Sequence, residues 1–253
     1  LIKNFLTDHK LLSIGIVLFL LGATISIFTA VDTKKALGEW RAFYIEPVIL
    51  FFVLSSYLKS NEKKNRKKII EQYILLPLVL CGLITSAFAI FQHFTGFLVP
   101  HAFWANRETY RVTAWYGFPN AVGLFLAPII PLAIYLLVQT WQRTKKIFEP
   151  TVIISILFLI TGFLAILFAK GSGPLLGALA GVGILLLCYK KTRVPTFLFG
   201  IVALTAIFFL PADHSVKQEL FAKNFSGQLR RDMWNETVGL LKERPVLGAG
   251  IAS

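Results

Sequence analysis

Seven long apolar runs, separated by short connections rich in lysine and arginine, are the feature that most constrains how this chain can fold. An α-helix rises about 1.5 Å per residue, so about 20 apolar residues cross a hydrocarbon core about 30 Å thick. The runs cover residues 11–31, 42–58, 69–94, 117–139, 151–169, 173–189 and 195–211. We therefore predict an all-α, polytopic transmembrane helical bundle in residues 1–211, and the start of a large external loop in residues 212–253.

The composition supports a membrane protein. Hydrophobic residues make up 56% of the chain and charged residues only 15%, whereas about a quarter of the residues in soluble proteins are charged. A net charge of +13 would favour nucleic-acid binding in a soluble protein, but here the basic residues lie between apolar runs. We expect membrane lipids as partners and no nucleic acid. Cys81 and Cys188 lie far apart and lack the spacing of a metal or redox site, so we interpret both as small apolar fillers.

The distribution of basic residues predicts the orientation. With a cytoplasmic N-terminus, fourteen lysines and arginines lie on the inner side and six on the outer side. The tail after Pro211 is too long for its charges to be counted reliably. We therefore predict a cytoplasmic N-terminus and an external tail, with the connection around Arg111 and the turn at Lys170 on the outer side.

Residues 107–131 combine a charged, aromatic segment with an apolar helix. The turn at residues 117–120 precedes this helix, which carries Pro128 and Pro131. Each proline removes a backbone donor and clashes with the preceding turn. Irregular backbone at membrane depth suggests a cavity, but for the prolines alone we favour a simple packing kink.

Several basic residues are predicted to converge on the outer face. Guanidinium groups bind phosphate oxygens in bidentate fashion, so an outer basic pocket suits a lipid-linked phosphate or diphosphate. Taken singly, each base is better explained as an interfacial anchor or a headgroup contact. We expect Glu46 to be neutralised by Arg41 or Arg111.

A glycine-rich turn opens the sixth run. Gly173, Gly177 and Gly181 recur every fourth residue, which predicts one helix face that lets another backbone approach closely. The preceding turn at residues 170–173 exposes backbone donors beside Lys170 at a helix start, where an anion is favoured.

The tail is predicted to contain a helix over residues 227–244, with Ser226 as its N-cap and Pro245 after its end. Its apolar residues fall roughly on one face: Leu229, Met233, Leu240 and Leu241. Both an amphipathic helix at the outer interface and a helix of a soluble external domain fit this pattern.

Three motifs resemble the O-antigen ligase and polymerase family. Arg230 and Trp234, followed by Pro245, Gly248 and Gly250, are similar to its "Arg, three residues, Trp … Pro-x-x-Gly-x-Gly" pattern. The Pro119-Asn120 turn resembles a helix start of that family, and residues 169–176 resemble its Ser-Arg-Gly turn. The resemblance runs from about residue 39 to residue 253.

The resemblance implies a metal-independent GT-C-type glycosyltransferase in the bacterial inner membrane, acting at its outer face in polysaccharide or lipopolysaccharide biosynthesis. The implied donor is a glycan on undecaprenyl diphosphate, and the acceptor is a lipid, a glycan or a protein. No cofactor is implied.

The resemblance also suggests site residues. Arg230 aligns with a family arginine, whereas Lys170 and Ser172 stand where the family has a second one. Together with the predicted topology, this selects four diphosphate-binding residues and five residues lining the pocket. The first set is Arg230, Arg111, Lys170 and Arg231, and the second is Glu46, Pro119, Asn120, Ser172 and Trp234. The catalytic histidine is expected beyond Ser253, so we interpret the sequence as one that lacks its base and closing spans.

Two other functions remain open. A polytopic transporter or flippase would use the same basic pocket to bind an anionic lipid-linked substrate without chemistry. Transporters often contain internal repeats, and we find no second half that resembles residues 39–131. The second of these alternatives is a structural membrane subunit whose outer bases only bind lipid headgroups.

Overall fold

The computed structural model describes residues 10–61, 63–106, 110–211, 217–218 and 225–251, and every regular element in these ranges is helical. The all-α prediction is therefore confirmed. The helices are α1 (Lys10–Phe28), α2 (Thr33–Trp40), α3 (Glu46–Ser60), α4 (Lys63–Ile69), α5 (Leu76–Thr95), α6 (Ala102–Ala105), α7 (Pro119–Thr144), α8 (Pro150–Phe168), α9 (Ser172–Cys188), α10 (Arg193–Phe209) and α11 (Phe225–Glu243).

Five helical stretches among the described residues are long and apolar enough to cross a membrane. They are Lys10–Phe28, Thr33–Ser60, Asn65–Thr95, Pro119–Thr144 and Pro150–Phe168, and they coincide with the first five predicted runs. The sixth and seventh runs form α9 and α10, which are apolar but have 17 residues each. The count of seven spans and the orientation stay predictions.

The chain divides into two compact units, residues 1–66 with 212–253 and residues 67–211. In the second unit α8 packs against α5 and α7, and α9 packs against α7. Its core includes Phe158, which is fully buried beside two glycines. A Cβ at Gly82 would lie 2.5 Å from the Phe158 ring and one at Gly162 3.0 Å from it. The two small residues therefore make room for one large aromatic side chain between α5 and α8.

Two π-helical segments, Arg41–Ile45 and Ile70–Leu75, each end one residue before the α-helix that carries a proline. The N–H groups of Glu46 and Leu76 donate to the carbonyl groups five residues earlier, and Pro47 and Pro77 follow directly. A proline ring clashes with the carbonyl four residues before it. One wide turn relieves that clash while the chain stays helical.

Pro128 and Pro131 behave differently, because α7 continues as an α-helix through both. The ring of Pro131 lies 3.2 Å from the position of a Cβ at Gly181 in α9. This contact agrees with the packing interpretation of these prolines. Because α7 stays helical at both positions, the prolines do not introduce an irregular backbone here.

The predicted glycine face of α9 is only partly correct. Gly181 packs closely, but no heavy atom of the described residues lies within 4 Å of a Cβ at Gly173 or Gly177. The close approach comes instead from α7, where a Cβ at Gly123 would lie 2.4 Å from the Pro174 side chain. A spacing of four shows which residues share a face, but it does not show which of them a neighbour reaches.

In the first unit, the Gly-x-Gly pair of the tail meets the end of α1. Gly250 has a φ of +90°, and a Cβ there would lie 2.5 Å from the backbone nitrogen of Ala30. The N–H of Ile251 donates to the carbonyl of Ser26 at 3.3 Å. Only glycine combines this backbone conformation with this close approach.

Helix α11 begins at Phe225, so Ser226 lies in its first turn and the predicted N-cap is wrong. The helix ends at Glu243, close to the predicted position before Pro245. Its apolar side chains are exposed: Leu229, Met233, Trp234, Val238, Leu240 and Leu241. The interfacial location of this helix stays a prediction.

Candidate functional site

The segment from Tyr110 to Ala114, which leads into α7, is held by one buried glutamine of α5. Gln92 is completely buried, and its Oε1 accepts the backbone N–H groups of Thr113 at 2.6 Å and Ala114 at 2.9 Å. Its Nε2 donates to the carbonyl oxygens of Phe97 at 3.0 Å and Ala114 at 3.3 Å. A buried amide that makes these bonds fixes the backbone rigidly, because breaking them orphans buried polar groups.

An aromatic cluster fixes the start of the same segment. The hydroxyl of Tyr110 donates to the carbonyl of Gln92, and burial raises the pKa of this phenol, which keeps it a donor. The Tyr110 ring lies 5.8 Å from that of His93, which in turn stacks on Phe168 at 3.8 Å between centroids. The carbonyl of Phe168 accepts the N–H of Val112 at 3.4 Å. The loop is thereby joined to the end of α8.

Arg111 lies in the middle of this fixed segment. Its Nε donates to the carbonyl of Ala169 at 2.7 Å, and its Nη2 donates to Oδ1 of Asn120 at 2.8 Å. The Cζ atom lies 5.2 Å from the centroid of the Trp104 ring, within the range of a cation–π interaction. Partial burial lowers the pKa of the guanidinium below its ordinary value, but an arginine stays charged at neutral pH.

The partners of Arg111 among the described residues are all uncharged. Within these ranges, no aspartate or glutamate forms an ion pair with it. Two of its five N–H donors bind acceptors in this part of the chain. Its positive charge therefore remains uncompensated by protein groups of the described part of the chain.

Two helices begin next to Arg111. Helix α7 starts at Pro119 after the extended Phe118, and α9 starts at Ser172 after Gly171. The first turn of a helix leaves N–H groups without partners and carries about half a positive charge. A Cβ at Gly171 would lie 3.8 Å from Oδ1 of Asn120, so the two helix starts are close together.

Lys170 adds a further positive charge at this place. It follows Ala169, whose carbonyl binds Arg111, and it adopts a φ of +48°. Its side chain is exposed and makes no ion pair or hydrogen bond with the residues that the structure describes. Arg111, Lys170 and two helix starts gather positive charge in one region, which we call the Arg111 end of the second unit.

The structure thus brings five of the predicted site residues into one region, namely Arg111, Pro119, Asn120, Lys170 and Ser172. The other four belong to the first unit. There Glu46 pairs with Nε of Arg41 at 3.2 Å, and both side chains are exposed. This pairing agrees with the expectation that Glu46 is neutralised by a neighbouring arginine.

The remaining predicted residues of the first unit, Arg230, Arg231 and Trp234, lie exposed on α11. Their part in substrate binding stays a prediction. Arg107 lies outside the described residues. In those residues no group of three or more His, Cys, Asp or Glu side chains is placed to hold a metal ion.

Comparison with known families bears on the second half of the chain, which contains the glycine turn at Lys170 and the motif from Arg230 to Gly250. Residues 156–253 match the family model described as O-antigen ligase. The resemblance predicted from the glycine turn and the tail motif is therefore confirmed over these residues, whereas the Pro119-Asn120 turn precedes them and its resemblance stays a prediction. No curated protein and no solved structure matches the chain.

The O-antigen ligase match, together with the apolar helices, indicates a membrane glycosyltransferase of the O-antigen ligase or polymerase type. Arg111 and Gln92 precede the matched range. Their connection to the glycine turn, which lies inside the matched range, therefore rests on their contacts in the structure and not on the family match.

Sequence reasoning found Arg111 but missed the residues that hold it. Neither Gln92 nor Trp104 is among the residues that the sequence analysis selects. One feature of the sequence points to Gln92. It is an amide side chain inside an apolar run, and polar groups at membrane depth need a partner. Which backbone groups it binds cannot be predicted without the fold, since they lie 21 and 22 residues away.

Proposed function

We propose that this chain transfers a glycan from an undecaprenyl-diphosphate carrier to a hydroxyl group of a lipid, glycan or protein acceptor. We place this reaction at the outer face of the bacterial inner membrane. The observation that carries the proposal is the Arg111 guanidinium, fixed between two helix starts with only neutral partners in the described residues. A preorganised cation that has no carboxylate partner is suited to the diphosphate of the donor.

The chemistry follows from where negative charge develops. The oxygen of the acceptor hydroxyl forms a bond to the anomeric carbon and its proton is released to water. The bond from that carbon to the diphosphate oxygen breaks, and the diphosphate leaves with the bonding electron pair. Charge-assisted hydrogen bonds from Arg111 and the helix starts stabilise the departing phosphate. Since these donors are already in place, they cost no reorganisation during the reaction.

Lys170 has a different part in this proposal. An ammonium group is a compact charge on a flexible stem, whereas a guanidinium is a planar fork that binds two oxygens at once. We therefore assign the geometry of diphosphate binding to Arg111 and additional charge to Lys170. Arg230 and Arg231 are proposed to contact the donor from the tail.

The experiment is the substitution Arg111→Ala in the full-length protein, assayed in membranes for glycan transfer from the lipid-linked donor. Loss of one preorganised donor to a developing anion costs about 10²- to 10³-fold in rate. We expect a loss of this size with normal membrane insertion, and partial activity in Arg111→Lys.

Lys34→Ala is the matched control. Lys34 is exposed, lies on the predicted outer side and belongs to no predicted site, so its loss should leave transfer within about twofold. Normal transfer in Arg111→Ala would refute the proposal. A transporter would instead move the lipid-linked donor across vesicles while forming no glycosylated acceptor in any variant.

A further inference from the structure

The opposite end of the second unit contains an apolar groove that the proposed reaction does not use. It lies between α7 and the end of α9 and has a volume of about 230 Å³. Its walls include Val138, Leu185 and Leu186, and its lining is almost entirely apolar. Since Val138 is nearly two turns from the end of α7 and Leu186 two residues from the end of α9, the groove runs along the helices towards their ends.

The polar atoms of the groove are gathered where the two helices end. Nε2 of Gln142 donates to the Tyr189 hydroxyl at 3.1 Å, and both residues line the cavity. Thr192, which also lines it, is the N-cap residue of α10. The groove therefore combines an apolar channel with a polar opening beside the start of a helix.

Four lysines are close in sequence to the residues that form this polar opening. Lys145 and Lys146 follow α7, and Lys190 and Lys191 come between Tyr189 and Thr192. All four are exposed, and they form no ion pair with the described part of the chain. The carboxyl ends of α7 and α9 disfavour an anion here, but four cations and the start of α10 outweigh two partial charges.

We propose that this groove binds an anionic phospholipid, with one acyl chain along the apolar walls and the phosphate at Gln142 and Tyr189 among the four lysines. Basic pockets between transmembrane helices bind anionic lipid headgroups, and each lysine near such a surface contributes about fivefold in affinity. The pairing of an apolar groove with a basic opening matches a molecule that has both an acyl chain and a phosphate. The site is independent of the proposed glycan transfer.

The test measures thermal unfolding of the purified full-length protein in a zwitterionic detergent. Phosphatidylglycerol and phosphatidylcholine with identical acyl chains are titrated separately, and inorganic phosphate is titrated alone. Binding stabilises the folded protein by mass action. We expect phosphatidylglycerol to raise the midpoint by about 2–4 °C at saturating concentration, and phosphatidylcholine and free phosphate to raise it by less than half as much.

The double substitution Lys190→Gln/Lys191→Gln should weaken phosphatidylglycerol binding roughly 20- to 30-fold, since two lysines are removed. Lys34→Gln/Lys35→Gln is the matched control, because it removes an adjacent lysine pair from the first unit and should leave the lipid response unchanged. Val138→Trp fills the groove and should also abolish the response.

Three results would contradict the proposal that this groove binds an anionic phospholipid. An equal response to phosphatidylcholine would show a lipid effect without headgroup recognition. An equal response to inorganic phosphate would show an anion site that needs no acyl chain. A phosphatidylglycerol response that survives both Lys190→Gln/Lys191→Gln and Val138→Trp would place the lipid elsewhere on the protein.

Discussion

Two arginines at opposite ends of α7 show how differently one residue type is used in the same bundle. Arg111 contacts Asn120 in the first turn of α7, whereas Arg143 belongs to its last turn, about 35 Å further along the helix. Nη1 of Arg143 lies 3.0 Å from Oε2 of Glu71, a carboxylate that is 3% exposed. Arg111 binds a carbonyl and an amide oxygen instead. The charge of Arg143 is compensated by a carboxylate, whereas that of Arg111 has no charged partner among the described residues.

The Glu71 end, which consists of Lys67, Glu71, Gln139 and Arg143, is a structural ion cluster. Nζ of Lys67 lies 3.8 Å from Oε1 of Glu71 and donates to Oε1 of Gln139 at 2.6 Å. A buried carboxylate requires such partners, because an uncompensated charge in the interior costs several kcal/mol. We therefore expect substitutions at the Glu71 end to change the stability of the fold, and removal of the Arg111 side chain to change glycan transfer.

The largest loss of stability is expected at Gln92, which holds the segment that carries Arg111. Gln92→Leu leaves the buried N–H groups of Thr113 and Ala114 without their acceptor. At about 2 kcal/mol for each orphaned donor, the free energy of unfolding should fall by about 4 kcal/mol. Thermal unfolding of the purified protein measures this loss, and limited proteolysis should show cleavage near residue 110.

Gln139→Leu is the matched control for Gln92→Leu. It makes the same change at the Glu71 end, where the amide is only partly buried and binds an exposed lysine. Its cost should stay below about 1 kcal/mol. Equal losses in the two variants would contradict the role assigned to Gln92.

Arg143→Ala should lower the free energy of unfolding by about 3 kcal/mol, because it leaves Glu71 buried with only a distant lysine. This loss lies at the lower end of the range for a broken buried ion pair, because the Arg143 side chain is 53% exposed and solvent screens its charge. Adding Glu71→Gln removes the orphaned charge and should restore most of the loss. A double variant as unstable as Arg143→Ala alone would show that the arginine stabilises the fold by something other than this pair.

The smallest of the three effects is expected at Gly123, where α7 meets α9 beside the Arg111 end. Gly123→Ala places a Cβ 2.4 Å from the Pro174 side chain, and such overpacking costs about 1–3 kcal/mol. Gly177→Ala is the control, because no described atom lies within 4 Å of its Cβ, and replacing a helical glycine should stabilise the protein slightly. Both are read from thermal unfolding midpoints, and the reverse order would contradict the packing described for α7 and α9.

The sequence predicted the fold well because apolar runs long enough to cross a membrane have few alternatives. It selected Arg111, Asn120 and Lys170 because a motif and a charge count converged on them. It did not predict the ion pair between Arg143 and Glu71, since the two residues lie 72 residues apart. The unfilled faces of Gly173 and Gly177 have the same origin, because tertiary neighbours decide which close contacts form.

The most direct measurement of the central claim is the binding of undecaprenyl diphosphate to the purified full-length protein. Wild type is compared with Arg111→Ala and with the double variant Arg143→Ala/Glu71→Gln, which removes an arginine without leaving a buried charge. A hydrogen bond to a charged group contributes about 1.5–3 kcal/mol, so Arg111→Ala should weaken binding by roughly 10- to 150-fold. The double variant should bind like the wild type. Equal affinities in the wild type and Arg111→Ala would contradict the claim that the uncompensated charge of Arg111 binds the diphosphate.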